Sequence, residues 1–152
     1  MGPISQLLMD AAPDIRAALE RAGWSQSRSI DISPWVEILE TAGFEINASA
    51  SLIWQELGGL DIKSSSRREP RSSLRIDPVD ACIDAAGEAA RLGRKYGEVH
   101  SPLGLWSLQY RTYVGSGGRV IAVGPGGEWK LGDNIMDALT FVIIGGSDIH
   151  FM

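Results

Sequence analysis

The sequence predicts an α+β fold, with N-terminal helices followed by a mostly antiparallel sheet and two further helices. Three observations predict it. In the first sixty residues apolar side chains recur at helical spacing, and each run is stopped by glycine. Around residues 106–114 the period changes to two. A glycine cluster at 115–118 then separates two apolar segments, as a hairpin does.

Taken in order, the first helix is expected from Asp10, with Ala11, Ile15, Ala18, Leu19 and Ala22 on one face and Gly23 as a left-handed cap. Pro13 is tolerated because the first turn has no intrahelical donor to lose. Ser33 and Pro34 form an N-cap and first-turn pair for a second helix carrying Trp35, Ile38, Leu39 and Ala42, which stops at Gly43. RAGW and TAGF echo each other at these two ends. The third helix spans about Ser49 to Leu57 and ends on Gly58 and Gly59. Two short strands, 60–63 and 73–76, flank a basic segment that reads as a solvated loop.

Asp77 and Pro78 repeat the cap device, and the spacing predicts one long helix over 79–97 with Val79, Ile83, Ala86 and Ala90 inward. Its last turn, with Arg91, Arg94 and Lys95, suits the helix dipole. Trp106, Leu108, Tyr110, Thr112 and Val114 alternate with polar residues and Tyr113, which predicts one strand with one buried face. The GSGG turn and RVIAV return it as a hairpin, EWKL adds a short strand, and a final helix begins near Asp133 with Ile135, Leu139, Val142 and Ile143 inward.

Composition narrows the classes. A chain of 152 residues with 44% hydrophobic content is expected to form one domain over 1–152. No apolar run approaches the roughly 18 residues of a membrane span, and the start does not read as a secretory signal. The single cysteine, Cys82, fits a reducing cytoplasm and is expected to be an inert core thiol. Charge is uneven: residues 1–62 sum to −6, 63–76 to +4 and 77–152 to −3, giving the net −5. An acidic body argues against nucleic acid as the main ligand.

Catalytic chemistry is scarce. His100 and His150 stand without a Cys, His or carboxylate at ligand spacing, GxSxG and HExxH are absent, and the glycine clusters lack the spacing of a phosphate loop. No catalytic residue, metal or cofactor is therefore assigned.

The ordered set AGWSQSRSIDISPWVEILETAGF, LIWQELGGL, IDPVDACIDAA, HSPLG, GGRVIAV and KLGDNIMDAL, over roughly residues 18–146, resembles the SUKH superfamily of bacterial immunity proteins, particularly its third family. The resemblance implies a non-catalytic cytoplasmic protein that binds and neutralises a cognate polymorphic toxin, often a nuclease or nucleic-acid deaminase. Its partner is the toxin domain, with no membrane and no direct nucleic-acid contact. The alternative is a regulatory or scaffold module that binds a peptide or host protein. Trp24 is expected to seal the first helix, Arg28 to pair with Asp31 or a carboxylate of the sheet layer, and Trp35, Trp54 and Trp106 to be core. Trp129 is the candidate interface anchor. Glu56, Asp61, Glu98, Glu128 and Asp133 are the candidate acids toward a basic toxin.

Overall fold

A computed structural model describes residues 2–82, 84–145 and 150–151. The described elements run α1 (Pro3–Met9), α2 (Pro13–Ala22), α3 (Ser33–Thr41), α4 (Ala48–Leu57), β1 (Asp61–Lys63), β2 (Ser73–Arg75), α5 (Pro78–Cys82), α6 (Ala86–Tyr96), β3 (His100–Trp106), β4 (Tyr110–Gly115), β5 (Val120–Gly124), β6 (Gly127–Gly132), α7 (Ile135–Ile143) and β7 (His150–Phe151). All strands belong to one antiparallel sheet in sequential order, β1 through β7. The α+β prediction holds. Neighbouring residues of a strand point to opposite faces. Arg111 and Tyr113 reach Glu88 of α6 on one face, while Trp106 meets Phe141 of α7 on the other.

The repeated helix ends have one physical cause. Gly23 and Gly43 both take positive φ, and the next residue donates its N–H back five positions, Trp24 to Leu19 at 2.9 Å and Phe44 to Leu39 at 3.0 Å. That is the Schellman closure, in which the residue after the glycine also lays its side chain on the helix. Trp24, 4% exposed, seals α2 as expected, and its indole N–H donates to Ser5 Oγ at 3.2 Å.

Several boundaries differ from expectation. The segment before Asp10 forms α1, and α2 starts at Pro13 rather than Asp10. Seven residues make a marginal helix alone. The Glu56 carboxylate stabilises this one by accepting the N–H groups of Ile4 and Ser5 at 3.2 and 2.8 Å. Ser33 lies inside α3, and its N–H and hydroxyl both donate to Asp31, at 2.9 and 2.7 Å. Those bonds occupy Asp31, and Arg28 instead donates to the Gly58 carbonyl at 2.6 Å, closing the end of α4. Ile38 is exposed, because only Leu39 of α3 is fully buried. Asn47 caps α4 by accepting from Ala50, so that helix begins one residue early.

The helix expected over 79–97 is two helices, α5 and α6. Ala85 donates to the Cys82 carbonyl at 2.8 Å in the turn between them, and no side chain caps α6. Cys82 is held in the core, and the buried stripe of α6 runs through Ala89 and Leu92, leaving Ala90 exposed. Ile83 lies outside the described residues, as does the tail SDIHFM apart from the 150–151 backbone, which pairs with Lys130 and Trp129.

The expected single strand through 106–114 is also two. Trp106 and Tyr110 are cross-strand partners, and the chain reverses between them with Ser107 and Leu108 at φ 51° and 60°. Two consecutive positive φ values are what a type I′ hairpin turn requires. Neither residue is one that advertises such a turn.

Candidate protein-binding surface

The β3–β4 hairpin lines up a row of rings. The Trp106 and Tyr110 centroids lie 4.9 Å apart, Tyr110 and Trp129 meet edge-on at 5.1 Å, and Trp106 reaches Phe141 at 5.8 Å. The Arg68 guanidinium sits 5.0 Å above the Phe141 ring and extends the row by one cation. Gly124 admits the Tyr110 ring to this position, since a Cβ there would overlap its edge. All four aromatic side chains are half-buried. Each ring contact contributes ~0.5–1.5 kcal/mol beyond area burial, so the row is stiff before anything binds. Leu108, at the tip of the same hairpin, is 67% exposed.

Arg68 is itself 7% exposed, which the reading of 63–76 as a solvated loop did not anticipate. Its Nε donates to the Phe141 carbonyl at 3.0 Å and its Nη1 to the Pro70 carbonyl. Ser65 donates to the Ile143 carbonyl at 2.9 Å. The Ser65 bond satisfies a last-turn carbonyl of α7 that the helix leaves without a donor, and the Arg68 bond adds to the Gly145 N–H that the Phe141 carbonyl already accepts at 2.9 Å. The Trp106 indole donates to Ser72 Oγ at 2.8 Å, fixing the other end of the loop.

Two carboxylates anchor the opposite face of the sheet. Glu88 accepts from Arg111 through both oxygens, at 2.7 and 2.8 Å, and from the Tyr113 hydroxyl at 2.7 Å. Burial opposes its charge, yet these bonds hold its pKa below the ordinary value. Glu128 accepts from Arg91 at 2.7 Å, Lys95 at 3.0 Å and the Tyr96 hydroxyl at 2.7 Å. Burial again works against ionisation, and the three donors override it, bringing the pKa down to about 2. Beneath them, burial pushes the Cys82 thiol up to about 12, as suits an inert core residue.

The six residues singled out in the sequence do not form one patch. Trp129 lies on β6 and Asp133 just beyond its end, where it accepts from Lys130 at 2.9 Å. Glu128 is next to Trp129 in sequence but faces α6, because adjacent strand residues alternate. Glu56 is buried under α1. Glu98 accepts the Gly117 N–H at 2.9 Å at the far end of the β4–β5 hairpin. Asp61 is exposed on β1, the edge of the sheet remote from β6. Trp54 is fully buried, whereas Trp35 and Trp106, expected in the core, are half-buried like Trp129.

Sequence reasoning missed Tyr110, Phe141 and Arg68. The spacing of Trp106 and Tyr110 contained the signal, but only for a reader who broke the strand at Ser107.

The family described as SUKH-3 immunity protein matches residues 11–145 of this chain. No curated protein and no solved structure matches it.

Proposed function

The chain belongs to the SUKH-3 immunity protein family, and from that premise we propose that it neutralises a cognate toxin by direct contact, through the face that ends in Trp129. The observation that carries this reading is the pre-stiffened, half-buried row Phe141–Trp106–Tyr110–Trp129. Aromatic residues and arginine are enriched where protein interfaces concentrate their energy, and rings already locked by one another lose little entropy on binding.

The toxin proposed is one that acts on nucleic acid and therefore carries a basic cleft. The net charge of −5 supports this, as does the stretch from Asp31 through Asp61, which holds six acids and no base. Such a surface raises the rate of encounter with a cationic partner. Asp133 is proposed as a direct contact at the end of the strand that carries Trp129, and Asp61 as a steering charge on the far edge. Glu98 contributes from the β4–β5 end. Glu56 and Glu128 act through the elements they hold.

The test is co-expression with the toxin domain encoded beside this protein, scored by survival and by co-purification. The reading expects rescue with a stable complex and loss of both in a Tyr110→Ala/Trp129→Ala variant that remains folded. Rescue without a complex, or undiminished rescue by the variant, argues against it.

A further inference from the structure

Separate from the aromatic row, a groove of about 920 Å³ lies between α2, β1, the 64–73 loop and the tip of the β3–β4 hairpin. Arg21, Lys63, Arg67 and Arg71 line it, and all four are exposed. None of them is in an ion pair among the described residues. Two acids, Asp14 and Asp61, share the groove, leaving it a local charge of +2 on a molecule of net −5. Six serines line its wall, two of them, Ser64 and Ser72, with hydroxyls already accepting bonds, and Leu108 stands at its rim.

The groove is built rather than incidental. Its loop is clamped to α7 through Arg68 and Ser65, and closed on itself by Ser64 N–H to the Ser72 carbonyl at 2.9 Å and Ser72 N–H to Ser64 Oγ at 3.0 Å. Leu108 is presented at 67% exposure from a left-handed backbone, a conformation that costs a non-glycine residue ~1–2 kcal/mol. Folding gains nothing from an exposed leucine there.

We propose that this groove is a second protein-binding site and that its occupant is an extended acidic segment of a partner protein, with an apolar side chain beside its carboxylates. The carboxylates meet the four cations, the serine hydroxyls bond the segment's backbone, and the apolar side chain packs on Leu108. Charge complementarity selects an acidic occupant. A polyphosphate backbone fits less well: it gives Leu108 no apolar partner, and among the described residues the groove offers no aromatic ring for base stacking. The assignment does not depend on the toxin reading, and its test contains no toxin.

The experiment is fluorescence anisotropy of the whole protein with a labelled peptide of Glu-Asp-Leu-Glu repeats. The comparison ligands are the same peptide with lysine in place of its acids, and a labelled oligothymidylate of equal charge. The expected result is saturable binding of the acidic peptide at low salt, tighter than the oligothymidylate, with no binding of the lysine peptide. Arg67→Glu/Arg71→Glu should weaken it by at least about tenfold, and Leu108→Ser by about fivefold. Circular dichroism checks that both variants keep the fold, as substitutions at exposed positions should. The proposal is overturned if the acidic peptide does not bind, if the charge reversal leaves its affinity unchanged, or if the oligothymidylate binds more tightly and responds to the same variants.

Discussion

Replacing Glu128 by glutamine tests the α6 side of the sheet quantitatively. Its ordinary pKa of 4.5 falls to about 2 in the folded chain. At ~1.36 kcal/mol per tenfold change in proton affinity, that is about 3 kcal/mol of stabilisation of the charged form. Its partners Arg91 and Lys95 are 45% and 46% exposed, so solvent screening takes part of this away. A net of ~1–2 kcal/mol is the realistic figure. Because the folded pKa is the lower one, the contribution is complete above the unfolded value and is lost as pH falls from about 4.5 through about 2. Glu128→Gln should therefore lower the melting temperature by ~2–8 °C at pH 7 in a chain of this size. The gap to the parent protein should narrow steadily below pH 4.5. Thermal unfolding followed by circular dichroism at pH 7, 4 and 3 measures both. An unchanged midpoint at pH 7, or a difference independent of pH, would refute the argument from charge.

Other perturbations test separate parts of the account. Ser107→Asn/Leu108→Gly supplies the residues a type I′ turn favours and should raise stability by ~1–2 kcal/mol in urea unfolding, while a lower midpoint would contradict the strain argument. Gly104→Ala places a Cβ on the Arg75 carbonyl where β2 meets β3, and should cost more than ~3 kcal/mol, visible as loss of soluble folded protein. Cys82, with its thiol pushed up to about 12, should resist a disulfide reagent at pH 8 until urea unfolds the chain; rapid labelling of the native protein would show the site to be open. Trp24→Phe removes the bond to Ser5 and should cost ~1 kcal/mol in urea unfolding, with no change if that bond were immaterial.

The features legible in the sequence were those whose determinants are local. Gly23 and Gly43 announce their left-handed closures, Asp77 caps α5 by accepting from Asp80, and the β4–β5 turn is spelled out by glycine. What escaped depends on partners distant in the chain. The short α1 is stabilised by Glu56, some fifty residues away, and the basic loop folds inward because α7 offers it the Phe141 and Ile143 carbonyls. The hairpin at Ser107 escaped for a different reason. The turn there puts positive φ on a serine and a leucine, residues that do not signal it, and alternation within one strand looks the same as alternation across a tight turn. The proposed binding surface shared that difficulty. Trp129 was picked out by itself, but the rings that stiffen it come from β3, β4 and α7, which no linear pattern joins.

The central claim is that neutralisation proceeds through contact at the aromatic row. Calorimetric titration of the purified toxin domain with the parent protein and with Trp129→Ala, both verified as folded, tests it most directly. The account predicts a one-to-one complex for the parent and a loss of at least about 2 kcal/mol, roughly thirtyfold in affinity, for the variant. Equal affinity of the two proteins would place the toxin elsewhere on the surface and contradict the account.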